Sequence, residues 1–213
     1  MLLSQFDLVI LGSNSARRKL IFEENLGLKR DEQYITMKSD FEEDLDKSKY
    51  SPEEYCLETA HHKLLSLLPQ VQAMMTKEDK ERRWLLVTAD SIFIHGGKVY
   101  EKPVDRAEAR HFLVDIFRNS TMLAYSGVAL AHGIGSQVLG TMKKGFTTDV
   151  DLWDYPAEMV EEYLDKYLKK ILDVSGGVVL SQEGAFMIKG YRGCFFNAAG
   201  LPVHGLLEMV YQI

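Results

Sequence analysis

Apolar positions along this chain follow two periods, a strand-like one and a helical one, and their alternation predicts a mixed α/β fold. The continuous apolar run Leu8–Leu11 predicts a buried strand that breaks into the polar turn Gly12-Ser13-Asn14-Ser15 and then a helix stopped by Gly27. Tyr34–Lys38 reads as a second strand feeding the acidic stretch Ser39-Asp-Phe-Glu-Glu-Asp44. Ser51-Pro-Glu-Glu54 is a capping box with proline at the first helical position, and its helix is expected to reach about Leu68, ahead of Pro69. The charged run Thr76–Arg83 reads as a solvated connector. Trp84–Ile94 has the β-branched character of a central strand, and Gly96-Gly97 turns it into a short hairpin partner, Lys98–Lys102. A helix follows from Asp105 to near Asn119, then two long strands, Met122–Ala131 and Gln137–Val150, joined by Gly133–Ser136. Pro156 opens an acidic amphipathic helix to about Leu172. Gly176–Phe196 reads as two strands with a turn at Gly190–Gly193, and a last helix starts at Leu201. Long antiparallel hairpins beside βα units call for a mixed twisted sheet with flanking helices rather than a fully parallel one.

Size and charge narrow this picture. A chain of 213 residues with 46% hydrophobic content can bury roughly 70% of the surface of its unfolded form, enough for one substantial domain. Two lobes are compatible with it, but no linker marks a boundary, so a single domain over 1–213 is expected. The formal charge of −6 argues against a general binder of nucleic acid or of anionic membranes, which carries a basic stripe. A small anionic ligand in a local cationic pocket remains compatible with it. Cys56 and Cys194 lie far apart and lack metal-ligand spacing, so a reducing compartment is expected. Asp7 interrupts the first apolar stretch, and no run approaches the ~20 apolar residues of a membrane span, so a soluble cytoplasmic protein is expected.

Candidate chemistry begins at the first strand–helix turn. Ser13, Asn14, Ser15, Arg17 and Arg18 add donors and positive charge to a turn that leads into a helix, an arrangement suited to phosphate. Counted at 100° per residue, Arg17 falls between Leu20 and Ile21 on the apolar face, whereas Arg18 points off it. A core-facing guanidinium needs an anion. Asp90, an acid within a largely apolar strand, must be paired, metal-bound or shifted in pKa, which makes it the candidate general base or metal ligand. Asp40, Glu42 and Glu43 could add oxygen ligands for a hard cation. Lys63 sits at the border of its helix's apolar stripe, where its ammonium could emerge at a cleft edge, and Pro103 could hold Lys102 extended toward a site. The histidines lack metal spacing. The glycines fit neither a phosphate-binding Walker loop nor a dinucleotide fingerprint, and no Gly-x-Ser-x-Gly elbow is present.

Taken in order, these pieces resemble the Maf family of nucleotide pyrophosphatases, over nearly the whole chain. Leu11-Gly-Ser-Asn-Ser-Ala-Arg-Arg18 is similar to the family's Ala-Ser-x-Ser-Pro-Arg-Arg opening, with Ala16 in place of proline. Ser39-Asp-Phe-Glu-Glu43 resembles its acidic loop, and Ala60-His-His-Lys63 its helix ending in a functional lysine. Thr88-Ala-Asp-Ser91 and Glu101-Lys-Pro103 resemble its Gly-Ala-Asp-Thr and Gly-Lys-Pro elements, and Gly200-Leu-Pro202 its Gly-Leu-Pro turn. One departure stands out. Where the family reads Tyr-Gly-Ile-Gln-Gly, this chain has Val178-Val-Leu-Ser-Gln182, which puts Ser181 at the glutamine position; Gln182 could substitute only if the strand bulges.

The resemblance implies a fold shared with the inosine-triphosphate pyrophosphatases, two lobes around a cleft, and a homodimer. It also implies cleavage of a nucleoside triphosphate between its α and β phosphates with Mg²⁺ or Mn²⁺. Arg17, Lys63 and Lys102 would neutralise the triphosphate, Glu42 and Asp90 would hold metal and orient water, and Ser13 with Arg18 would meet phosphate oxygens. Ala89-Asp-Ser91 leans toward the branch resembling thymidine and uridine triphosphate pyrophosphatases. Ser181 motivates an alternative, a nucleotide-binding regulator of cell division that has lost efficient turnover. A purine-selective enzyme is a third reading.

Overall fold

The computed structural model describes residues 2–180 and 183–213. Its strands are β1 (Leu8–Leu11), β2 (Tyr34–Thr36), β3 (Arg83–His95), β4 (Lys98–Tyr100), β5 (Thr121–Ile134), β6 (Gln137–Leu152) and β7 (Ile188–Gly193). Its helices are α1 (Ala16–Leu20, continued by a wider turn over Ile21–Asn25), α2 (Pro52–Met74), α3 (Arg106–Arg110, continued over His111–Phe117), α4 (Ala157–Ile171), α5 (Phe195–Ala198) and α6 (Val203–Tyr211). The seven strands form one sheet in the order β2-β1-β3-β5-β6-β7, with β4 on β3. It is mixed, as the sequence predicts: β1 runs parallel to β2 and β3, while β4 is antiparallel to β3 and β7 antiparallel to β6.

The chain divides into two compact units. The first comprises Met1–Ser91, Ser126–Phe146 and Gly200–Ile213. Its core sets Leu8 and Ile10 of β1, Trp84 and Leu86 of β3, and Ala129 and Ala131 of β5 against Leu64, Leu67 and Val71 of α2. Strand alternation fixes what this implies for β3: residues 84, 86, 88 and 90 face α2, and residues 85, 87, 89 and 91 face away from it. Thr88 confirms the phase, since its hydroxyl donates to the Ala60 carbonyl of α2 at 2.7 Å. Gly127 of β5 marks the closest approach of helix to sheet. A Cβ there would lie 2.6 Å from Leu57 Cα and 2.9 Å from the Cys56 carbonyl, both backbone atoms of α2. Gly127→Ala is therefore expected to cost about 2 kcal/mol or more and to lower Tm by roughly 5 °C or more in a thermal melt.

The second unit comprises Ile92–Tyr125 and Thr147–Ala199. Phe93, Phe112, Phe117, Tyr155, Tyr163 and Leu164 centre its core. Arg106 and Arg110 of α3 pair with Glu161 of α4, and Arg106 also with Asp165.

Two expectations fail here. Helix α2 does not stop before Pro69 but continues to Met74. Pro69 sits on the exposed side, above exposed Leu65, so the carbonyl that loses its N–H partner can turn to water, and buried Val71 holds the next turn in the core. Among the described residues of Gly176–Phe196, only β7 is extended and paired, and Gly190 lies inside it; Ser175–Gly177 and Ala185–Met187 are tight turns, and Phe195 begins α5. Val178, Val179 and Leu180 are buried without entering the sheet, because the Val179 N–H donates to the Tyr163 hydroxyl and its carbonyl accepts from Gly184.

Candidate active site

A polar cluster in the first unit gathers most of the predicted residues. Strand β1 leaves the sheet at Gly12, whose N–H donates to the Val87 carbonyl at 2.8 Å and where a Cβ would collide with Leu67 and Thr88 at 2.6 Å. The chain then folds on its own hydroxyls. Ser13 Oγ accepts from the Ser15 N–H at 3.2 Å, and Ser15, the N-cap of α1, accepts from the Arg18 N–H at 3.4 Å.

Lys63 and Asp90 form the centre. The capping box at Ser51 starts α2 as predicted, with both of its hydrogen bonds made. The stripe through Cys56, Ala60, Leu64 and Leu67 then faces the sheet, and Lys63 at its edge meets Asp90 at the end of the α2-facing row of β3. Lys63 Nζ lies 2.9 Å from Asp90 Oδ1 and 2.9 Å from Glu43 Oε1. The side chains of Lys63 and Asp90 are only 13% and 17% exposed, so this charge pair is largely out of water. Cys56 lies two turns before Lys63 on the same stripe. Burial chiefly, and then Asp90, pushes its thiol well above the ordinary range, so it stays protonated and donates to the Asp90 carboxylate while accepting from the Gly127 N–H.

The acidic loop reaches this centre through Glu43. Ser39 Oγ bonds Ser66 Oγ at 2.7 Å, Gln70 donates to Asp40 at 3.1 Å, and Phe41 stacks on His62 at 5.2 Å, so the loop is laid along α2. Glu43 adopts a left-handed backbone, φ 59°, and its carbonyl accepts from the Tyr55 hydroxyl at 2.8 Å. That conformation aims the Glu43 side chain at Lys63 and leaves Glu42, the predicted ligand, exposed.

Arg18 does not take the outward orientation expected of it. Arg18 turns inward: its Nε donates to the Gly200 carbonyl at 2.8 Å, its Nη2 to Ser91 Oγ at 3.0 Å and its Nη1 to Ser13 Oγ at 3.3 Å. Arg17 is half-buried beside it. The helical phase was set wrongly by Leu20, which is 48% exposed; the buried residues are Ile21 and Phe22, three and four positions after Arg18 and hence on its face. Burial lowers the Arg18 pKa, Asp90, Cys56 and Glu43 oppose the shift, and the guanidinium remains charged.

Lys102 belongs to the second unit, where it pairs with Asp173 at 2.7 Å on the surface. Ser181 and Gln182 lie outside the described residues. Ser126, Cys56 and Gly200 were not singled out from the sequence as site residues. Cys56 left a signal in its seven-residue spacing from Lys63, and Gly200 in the Gly200-Leu-Pro202 turn.

Among the described residues no group of three or more His, Cys, Asp or Glu side chains is arranged to hold a metal ion. The donor types nevertheless suit Mg²⁺ or Mn²⁺: Asp90 and Glu43 offer two carboxylates, which here meet at the Lys63 ammonium, and a hard ion takes one or two carboxylates together with water and phosphate oxygens.

The family model described as Maf-like protein matches residues 8–213. The chain belongs to this family. Among its relatives, the dTTP/UTP pyrophosphatase of Saccharomyces cerevisiae is 28% identical over 98% of this Maf-like chain and 90% of its own length. The dTTP/UTP pyrophosphatase of Schizosaccharomyces pombe is 28% identical over 96% and 83%. A solved nucleoside-triphosphatase / dITP/XTP pyrophosphatase from Mycobacterium abscessus overlays with a TM-score of 0.34 at 11% identity, covering 96% of this Maf-like chain and 93% of its own, too loosely to bear on this fold. No described helix is long and apolar enough to cross a membrane.

Proposed function

We propose that this Maf-like protein is a nucleoside triphosphate pyrophosphatase that acts on dTTP and UTP and releases the monophosphate and pyrophosphate. One observation carries the reading: Asp90 and Glu43 converge on the Lys63 ammonium within the unit that holds the Ser13–Arg18 turn. In this reading Ser13 and Arg17 bind phosphate oxygens and Lys63 draws off their charge. Asp90 accepts the proton of the attacking water as that water adds to the α-phosphorus, and the bond to the bridging oxygen breaks to release pyrophosphate. Mg²⁺ or Mn²⁺, held by Asp90 and Glu43, would neutralise the triphosphate. The pyrimidine preference is supported by the relatives named dTTP/UTP pyrophosphatase and by Ala89-Asp-Ser91. Cytoplasmic location, expected from the cysteine usage, and homodimerisation, implied by the family resemblance, complete the proposal.

Pyrophosphate release from dTTP, UTP, the other standard triphosphates and ITP tests it, each with Mg²⁺ or Mn²⁺ and with a chelator. Turnover of dTTP and UTP that the chelator abolishes is the expected result. Preference for ITP would overturn the base assignment. Binding without release of pyrophosphate from any nucleotide would leave the regulator that Ser181 suggests.

A further inference from the structure

We infer that Arg18 is a positioning residue, holding the stretch of β3 that carries Asp90 and the Gly200 turn in place without itself binding the triphosphate. The inference rests on the pyrophosphatase reading above and assigns within it a role distinct from that of Arg17.

Consecutive residues of β3 are gripped from opposite sides of the sheet. Asp90 ends the row that faces α2 and is held there by Lys63 at 2.9 Å. Ser91, by alternation, faces away from α2 and accepts from Arg18 Nη2 at 3.0 Å. Its hydroxyl also lies 2.9 Å from Ser126 Oγ of β5 and 3.3 Å from the Gly200 carbonyl. The same guanidinium reaches Gly200 directly through Nε and Ser13 through Nη1. Gly200 has φ 110°, a conformation that favours glycine and sets the entry into α6.

One planar cation therefore ties the turn after β1, residue 91 within β3 and the entry to α6 together. Each of its three nitrogens donates to one of the chain's own oxygens, and those acceptors are neutral. A guanidinium held by three fixed neutral acceptors is poorly placed to follow a phosphate, but well placed to fix the backbone at residue 91 and hence the carboxylate one position before it. A single ammonium cannot reproduce this, because its donors spring from one point while the three acceptors need a fork.

The test compares pyrophosphate release from dTTP by the wild-type protein, Arg18→Lys, Ser91→Ala, Ser91→Thr and the double variant Arg18→Lys/Ser91→Ala. Affinity for a nonhydrolysable α,β-analogue is measured alongside. Arg18→Lys is expected to lower kcat about 30-fold while analogue affinity stays within about threefold, since a misplaced base slows the chemical step more than binding. Ser91→Ala is expected to lower kcat about tenfold, and Ser91→Thr, which keeps the hydroxyl, to stay within about threefold of wild type. The double variant should be no slower than Arg18→Lys, because both changes break the same link. Analogue binding weakened about tenfold or more by Arg18→Lys would make Arg18 a direct phosphate ligand, and losses that multiply in the double variant would show that it does not act through Ser91; either overturns the inference. Should Arg18→Lys fail to fold, the serine pair decides: an undiminished kcat in Ser91→Ala overturns it. A wild-type protein that releases no pyrophosphate from any nucleotide removes the pyrophosphatase reading itself and this inference with it, a result distinct from either.

Discussion

Asp90→Asn is expected to slow pyrophosphate release by about three orders of magnitude while leaving the protein folded, because general-base catalysis is worth roughly 10²–10⁴ and asparagine keeps the shape but not the basicity. The surroundings of Asp90 explain why the fold should survive. Lys63 keeps Glu43 at 2.9 Å, so its charge is not stranded, and the amide oxygen of asparagine can still accept from Lys63 Nζ. The loss of charge in a pair that is largely out of water should cost about 1–3 kcal/mol, read as a modest fall in Tm. The informative quantity is the ratio of the two effects. A thousandfold loss of rate with Tm lowered by only a few degrees places the base at Asp90. A variant that keeps about a tenth of the wild-type rate would move the base elsewhere and reduce Asp90 to an anchor for Lys63.

Asp90 was legible in the sequence because it breaks an apolar strand, and Lys63 because it borders an apolar helical stripe; both signals are local and periodic. The capping box at Ser51 was legible for the same reason, since both of its partners lie within four residues. What escaped depends on atoms far away along the chain. The inward turn of Arg18 is fixed by the Gly200 carbonyl, 182 positions on, and by Ser91, and no helical wheel contains either. Glu43 displaces Glu42 because its backbone takes φ 59°, which adjacent glutamates do not announce. The buried run Val178–Leu180 has the apolarity of a strand, but the Tyr163 hydroxyl supplies the acceptor that a neighbouring strand would have offered the Val179 N–H. Periodicity reports which side chains are buried. It does not report which partner satisfies the backbone beneath them.

Lys63→Met should reduce activity by about two to three orders of magnitude, and here the electrostatics and the catalysis can be separated. Methionine fills much of the same volume along α2 but removes the ammonium that both carboxylates contact. Asp90 and Glu43 each lie 2.9 Å from that nitrogen, so without it a largely buried anion and a half-exposed one face each other at close range. Either the acidic loop swings away or one carboxylate takes up a proton. The contacts of Ser39 with Ser66, Asp40 with Gln70 and the Glu43 carbonyl with Tyr55 oppose the swing, so part of the repulsion is expected to appear as lost stability, about 1–3 kcal/mol. Adding Glu43→Gln to Lys63→Met removes the second anion and should recover most of that stability in a thermal melt. It should not recover the rate, because the cation that draws charge from the phosphates is still missing. Recovery of both would show that Lys63 serves only to neutralise its two neighbours, and recovery of neither would show that the loop is held by its other tethers and not by charge.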